Sequence, residues 1–215
     1  MPIAQEHQIA TGGKEYIDKT VEILTRAFEG DPVFTWLLQD FPQSQHQSIL
    51  PRYLRAFFTA ASLNRGMFIN ADGFGCCAVL LPPGARIDNP WTLLPAGLIP
   101  AIFATGLRGL KRAIFEYPGA TDALLEKGLT KAEQKEHWYV FIMATAEDRR
   151  QQGLAGTLLD DGRPLWLEAT TAYSRDLYLK HGFTAVGGAR LGKGTVGADG
   201  LPAKGGDGVM IWGMV

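Results

Sequence analysis

The chain has 215 residues, 46% of them hydrophobic, and a formal net charge of −1. That length suits one domain with a sizeable core, and the charge balance leaves no overall field to attract nucleic acid. The cysteines, Cys76 and Cys77, are sequence neighbours in an apolar run, which argues against a disulfide framework and a zinc site and for small core residues in a reducing compartment. Residues 1–14 lack the basic start and apolar core of a signal peptide, so the expected location is cytoplasmic and no metal is expected.

Residues 7–10 read as a short first strand, broken by Gly12-Gly13 from a helix over 15–28 whose apolar stripe is Ile17, Val21, Leu24 and Phe28. Asp31-Pro32 ends that helix and opens a second over 33–38. A third over 45–63 carries Leu50, Leu54, Phe57, Phe58 and Ala61 on its buried face. Residues 67–70 and 74–81, separated by Ala71-Asp72-Gly73, form a predicted hairpin that Pro82-Pro83-Gly84 stops. Residues 86–136 then form an insertion between the third and fourth strands, with helices over 121–127 and 130–135 and Thr130 as a cap. Its stretch 91–107 is free of charge, but Pro95, Gly97, Pro100 and Gly106 and the following Arg108 argue against a membrane span. That leaves a bent apolar helix pair over a cleft, or a surface for a second subunit in a homodimer.

The aromatic and β-branched run Trp138-Tyr139-Val140-Phe141-Ile142-Met143-Ala144 reads as a buried strand, followed by a turn holding Gly153, Ala155 and Gly156 and then a helix. Uncovered N–H groups at a helix start, with Arg149 and Arg150 beside them, suit a pyrophosphate. Further strands fall at 165–170, 183–186 and 209–214, with a helix over 172–180. The glycine-rich segment 187–208 is either a mobile hairpin over the active site or plain disorder. Its Gly192-Lys193-Gly194-Thr195-Val196-Gly197 matches G-x-G-x-x-G with no helix after it, and the near P-loop has Gly194 where Ser or Thr belongs; both read as loop composition.

Arg150-Gln151-Gln152-Gly153-Leu154-Ala155 resembles the R/Q-x-x-G-x-G/A signature of the GCN5-related N-acetyltransferase superfamily, and Leu177-Tyr178-Leu179-Lys180-His181-Gly182-Phe183 resembles its (L/F)-Y-x-x-x-G-F segment. Ala27-Phe28-Glu29-Gly30-Asp31-Pro32 and the ending Ile211-Trp212 are similar to the puromycin-acetyltransferase-like branch. The resemblance implies an α/β (α+β) fold, a mixed, mostly antiparallel sheet flanked by helices, and acetyl-coenzyme A as cosubstrate. It implies that backbone groups of Met143, Ala144 and Thr145 meet the pantetheine, while Arg150, Gln151, Gln152, Gly153, Leu154, Ala155, Gly156 and Thr157 hold the pyrophosphate. Ser174 stands where relatives of this branch carry a coenzyme-touching asparagine. Tyr178 matches the tyrosine that protonates the departing thiolate; the bland alternative is a packed aromatic one turn before Gly182.

Glu168, at the end of the fifth strand, either takes a proton from the acceptor amine, directly or through water, or serves a hydrogen-bonded structural role. Glu136 and His137 are weaker candidates for the base. The acceptor expected is a primary amine of a small molecule. One departure stands out: the helix after the phosphate turn meets Gly162-Arg163-Pro164 after about two turns, where the family has about four. That shortening leaves a catalytically impaired coenzyme- or partner-binding domain as the alternative.

Overall fold

The computed structural model describes residues 7–97, 106–150, 152 and 164–215. Among them β1 (Ile9–Gly12), β2 (Met67–Ala71), β3 (Cys76–Leu81), β4 (Trp138–Thr145), β5 (Leu165–Ala169), β6 (Ala185–Leu191) and β7 (Val209–Met214) form one sheet. Their spatial order is β1-β2-β3-β4-β5-β7-β6. Every neighbouring pair is antiparallel except β4 and β5, which run parallel, so the sheet is mixed and mostly antiparallel.

Helices α1 (Ile17–Ala27), α2 (Pro32–Leu37) and α3 (His46–Leu63) precede the hairpin of β2 and β3. Asp31 starts α2, its carboxylate accepting from the N–H groups of Val33 and Phe34 at 2.9 and 3.2 Å, with Pro32 supplying the preset φ of the first turn. The insertion holds α4 (Pro90–Leu93), α5 (Gly106–Lys111), a π-helical turn (Arg112–Glu116), α6 (Tyr117–Gly128) and α7 (Glu133–Glu136). The helix expected over 121–127 is the last part of α6, which starts four residues earlier because Tyr117-Pro118 continues a helix already under way. After β5 comes α8 (Ala172–Lys180), as the sequence predicts.

All six residues of β3 are buried because both faces of the sheet are covered. Cys76, Ala78 and Leu80 point to one face, with Met143, Leu167, Tyr178 and Phe183, while Cys77, Val79 and Leu81 point to the other, with Leu24, Leu54 and Phe58 of α1 and α3. The two cysteines are therefore free thiols on opposite faces, pushed up by burial to about 11 and about 12.

The segment 187–208 departs from both expectations. Its first five residues extend β6, and the rest is a packed hairpin tip with Val196 fully buried against Trp36, Leu191 and Val209. Close backbone approach is what the glycines serve: a Cβ on Gly200 would lie 2.2 Å from the Pro32 carbonyl oxygen, and one on Gly206 2.2 Å from that of Val196. None of residues 187–208 lines the main cleft. The shortened helix expected after residue 153, and residues 98–105 of the charge-free stretch, lie outside the described residues. No helix among the described residues is long and apolar enough to cross a membrane.

Candidate active site

The site arises from the one parallel pair of strands. β4 and β5 pair only at Trp138↔Leu165 and Tyr139↔Trp166. Directly beyond, the β3–β4 register runs from Leu80↔Val140 to Val79↔Ile142, which leaves Phe141 as an extra residue on β4. A bulge of this kind bends its strand and increases the local twist, and here β4 leaves β5 while staying bonded to β3 as far as Thr145. The gap opens into a cleft of about 1190 Å³. Ordinary small-ligand sites hold roughly 300–1,000 Å³, so the space admits two reactants.

One end of the cleft is lined by Met143, Ala144, Thr145, Arg149, Arg150, Gln152, Ser174, Tyr178, Lys180 and His181. Met143, Ala144 and Thr145 lie past the last β4–β5 rung, where one edge of the strand has no partner strand among the described residues. Arg149 is tied back to the β2–β3 turn, its Nη2 donating to Asp72 Oδ2 at 3.2 Å and its Nε to Gln152 Oε1 at 2.9 Å. Asp72 also accepts from His7, whose hydrogen bond is the first cause holding that carboxyl below the usual range. Arg150 is exposed and has no ionic partner among the described residues. Gln151, Gly153, Leu154, Ala155, Gly156 and Thr157 lie outside the described residues.

Ser174 lines the cleft, but its hydroxyl is engaged in a capping box with Thr171, where each side chain meets the other's backbone N–H at 3.1 and 3.2 Å. Tyr178 comes from the last turn of α8, is 8% exposed and packs against Phe183 at 5.6 Å between centroids. Its hydroxyl has no hydrogen-bond partner among the described residues, and burial raises its pKa above the ordinary 10, so it stays protonated at neutral pH.

The other end is lined by aromatic and aliphatic side chains, including Phe28, Phe34, Phe57, Ile87, Tyr117 and Phe141. Among them lies Glu168. Its Oε2 accepts from the Tyr139 hydroxyl at 2.7 Å and its Oε1 from Trp166 Nε1 at 2.7 Å. Burial pushes its carboxyl up to about 7; the two donors oppose that rise and the charge of Asp122 adds to it. A carboxylate so placed titrates where a proton acceptor is most useful at neutral pH. The Tyr117 hydroxyl interacts with that of Tyr139, and burial raises both phenols well above 10.

Three further acidic groups stand at this end. Asp31 accepts from Thr170 Oγ1 at 2.6 Å and is held above the usual carboxyl range by burial. Asp88 and Asp122 share Arg86, which donates to Asp88 through Nε at 2.8 Å and to Asp122 through Nη1 at 3.3 Å. Among the described lining residues Arg149 and Arg150 follow β4 past Thr145, whereas Asp31, Asp122 and, through Arg86, Asp88 gather with Glu168 near the last β4–β5 rung. His137 lines this end too, with its pKa lowered by burial, whereas Glu136 does not line the cleft.

Tyr139, Trp166, Asp31, Tyr117, Arg86 and Asp122 were not picked out as site residues from sequence. For Trp166 and Glu168 a signal existed, since i and i+2 on a strand share a face. For Tyr117, Asp122 and Arg86 none did, because only the folded insertion brings them to the cleft.

In sequence the chain is 22% identical over 179 residues to a protein described as an uncharacterized N-acetyltransferase of Schizosaccharomyces pombe, covering 79% of this chain and 71% of that one. No family model matches. Solved structures with a similar fold include a histone acetyltransferase HPA2 and related acetyltransferase from Corynebacterium glutamicum, with TM-score 0.53, 20% identity, 98% of this chain and 95% of that one. Arylalkylamine N-acetyltransferase 2 from Aedes aegypti has TM-score 0.53 and 16% identity over 98% of both chains. An agmatine N-acetyltransferase has TM-score 0.54 and 13% identity over 97% of this chain and 98% of that one. The chain thus has the fold of GCN5-related N-acetyltransferases, and in sequence it is similar to a protein described as an N-acetyltransferase.

Proposed function

We propose, for a chain that carries the GCN5-related N-acetyltransferase fold, that it transfers an acetyl group from acetyl-coenzyme A to the amine of a small molecule with an apolar body. The observation that carries this reading is the opening where β4 leaves β5, with Arg149 and Arg150 beyond the end of β4 and a buried carboxylate among aromatic walls near the last shared rung. The acetyl donor supplies an activated thioester. The unpaired edge of β4 at Met143, Ala144 and Thr145 suits an extended amide chain, and Arg149, Arg150 and Lys180 suit its phosphates.

Glu168 takes the proton from the ammonium form of the acceptor, and Tyr178 gives one to the leaving thiolate. Each is protonated or deprotonated in the right sense at neutral pH, since burial puts Glu168 near 7 and keeps the Tyr178 phenol intact. The acidic end favours a cation and the aromatic walls exclude water around it. The relatives' names, an arylalkylamine and an agmatine acetyltransferase, fit an amine acceptor of this size. The puromycin-acetyltransferase-like assignment rests on the resemblance of Ala27-Phe28-Glu29-Gly30-Asp31-Pro32, whose Asp31 lines the cleft, and of Ile211-Trp212.

The test is calorimetric titration with acetyl-coenzyme A, followed by mass spectrometry of an amine library incubated with protein and donor. Heat on donor binding and a 42-dalton gain on one class of amine support the reading; donor binding without any acetylated amine favours a coenzyme-binding domain.

A further inference from the structure

Glu168 owes its orientation to the geometry of the splayed sheet. Tyr139 and Trp166 are cross-strand partners on the last rung that β4 shares with β5, and Glu168 lies two residues beyond Trp166 on the same face of its strand. Both partners donate to its carboxylate, each at 2.7 Å and each to a different oxygen. The two donors differ in how they are held. Trp166 is a core residue, 2% exposed, wedged where Gly128 and Gly213 lack side chains. Both line the cleft, but the Tyr139 hydroxyl also meets Tyr117 of the insertion.

We propose that Tyr139 is the positioning residue of Glu168, holding its carboxylate in the orientation from which it accepts the amine proton. This rests on the reading of Glu168 as the base. Burial keeps the Tyr139 phenol protonated across the working pH range, so it remains a donor throughout. Through Tyr117 the insertion that walls the acceptor end bears on the same hydroxyl. The ionisable groups around Glu168 are Tyr139 on β4, Tyr117 and Asp122 on α6, and, beyond Tyr117, Asp31 at the start of α2.

A buried hydrogen bond with a purely structural role would change stability and leave the pH profile alone. The experiment is therefore a pH–rate comparison of wild type, Y139F, E168Q and the double variant, with the Glu168 carboxyl followed by ¹³C NMR. Removing a donor to a carboxylate raises that carboxyl's pKa. In Y139F the acid limb of kcat/KM and the Glu168 titration move up by about one pH unit, and kcat falls about tenfold with KM for acetyl-coenzyme A unchanged. In the E168Q background the same change costs little more, because Tyr139 acts through Glu168. An unmoved limb, an unmoved Glu168 titration, or an equal loss in both backgrounds overturns the role. A wild type that acetylates no amine overturns the acetyltransferase reading instead, and the NMR titration still decides whether Tyr139 controls the carboxyl.

Discussion

Gly213 on β7 sits directly opposite Glu168 on β5, and the Cβ that Gly213 lacks would fall 2.5 Å from the ring of Trp166, the residue whose indole donates to that same Glu168. The carboxylate's position is thus secured from behind by an absent side chain. Gly213→Ala is expected to force the indole to shift, to destabilise the fold by about 1–3 kcal/mol, and to lower turnover more than donor binding. Thermal melts together with calorimetry on acetyl-coenzyme A check both halves.

Glu168 itself gives the clearest kinetic expectation. With its conjugate base as the working form, as proposed, kcat/KM for wild type is expected to rise with pH to a plateau above about 7. E168Q loses that limb and about 10²–10⁴-fold in rate. A pH–rate series on both proteins reads this directly.

The same group shapes stability in the opposite sense. A carboxyl raised in the folded state binds a proton that the unfolded chain has already lost, so folding stability falls as pH rises from the unfolded value near 4.5 to about 7. The loss above pH 7 is at most about 3 kcal/mol. Urea denaturation between pH 4.5 and 8 is expected to show this decline in wild type and a flatter profile in E168Q.

Strand β7 and helix α8 are fully legible in the sequence, because a short apolar run and a clean N-cap at Thr171 act locally. The segment Leu177 to Phe183, which brings Tyr178 to the cleft, is legible for the same reason. The surroundings of Glu168 are not, since Tyr139, Trp166 and Glu168 converge only after β4 and β5 pair for two residues and part at the Phe141 bulge. The glycine-rich stretch misleads in the other direction: its composition reads as mobile, whereas Gly200 and Gly206 are there to let backbone pack on backbone around Val196.

Arg150 lines the cleft, is exposed, and has no ionic partner among the described residues. Arg150→Ala is expected to weaken acetyl-coenzyme A binding about tenfold, with a smaller loss in high salt, while kcat at saturating donor changes little. Tyr178→Phe has the reverse pattern, with kcat reduced about 10²-fold or more and donor affinity retained. Calorimetry and steady-state kinetics on the two variants separate holding the donor from protonating its leaving group.

The most direct measurement is thiol release from acetyl-coenzyme A by the wild-type protein across a panel of amines with apolar bodies. Release that depends on amine, grows as the pH passes about 7 and is abolished by E168Q is the expected result. Thiol release no faster with amines than without them, by folded protein that binds the donor, would contradict acetyl transfer at this cleft.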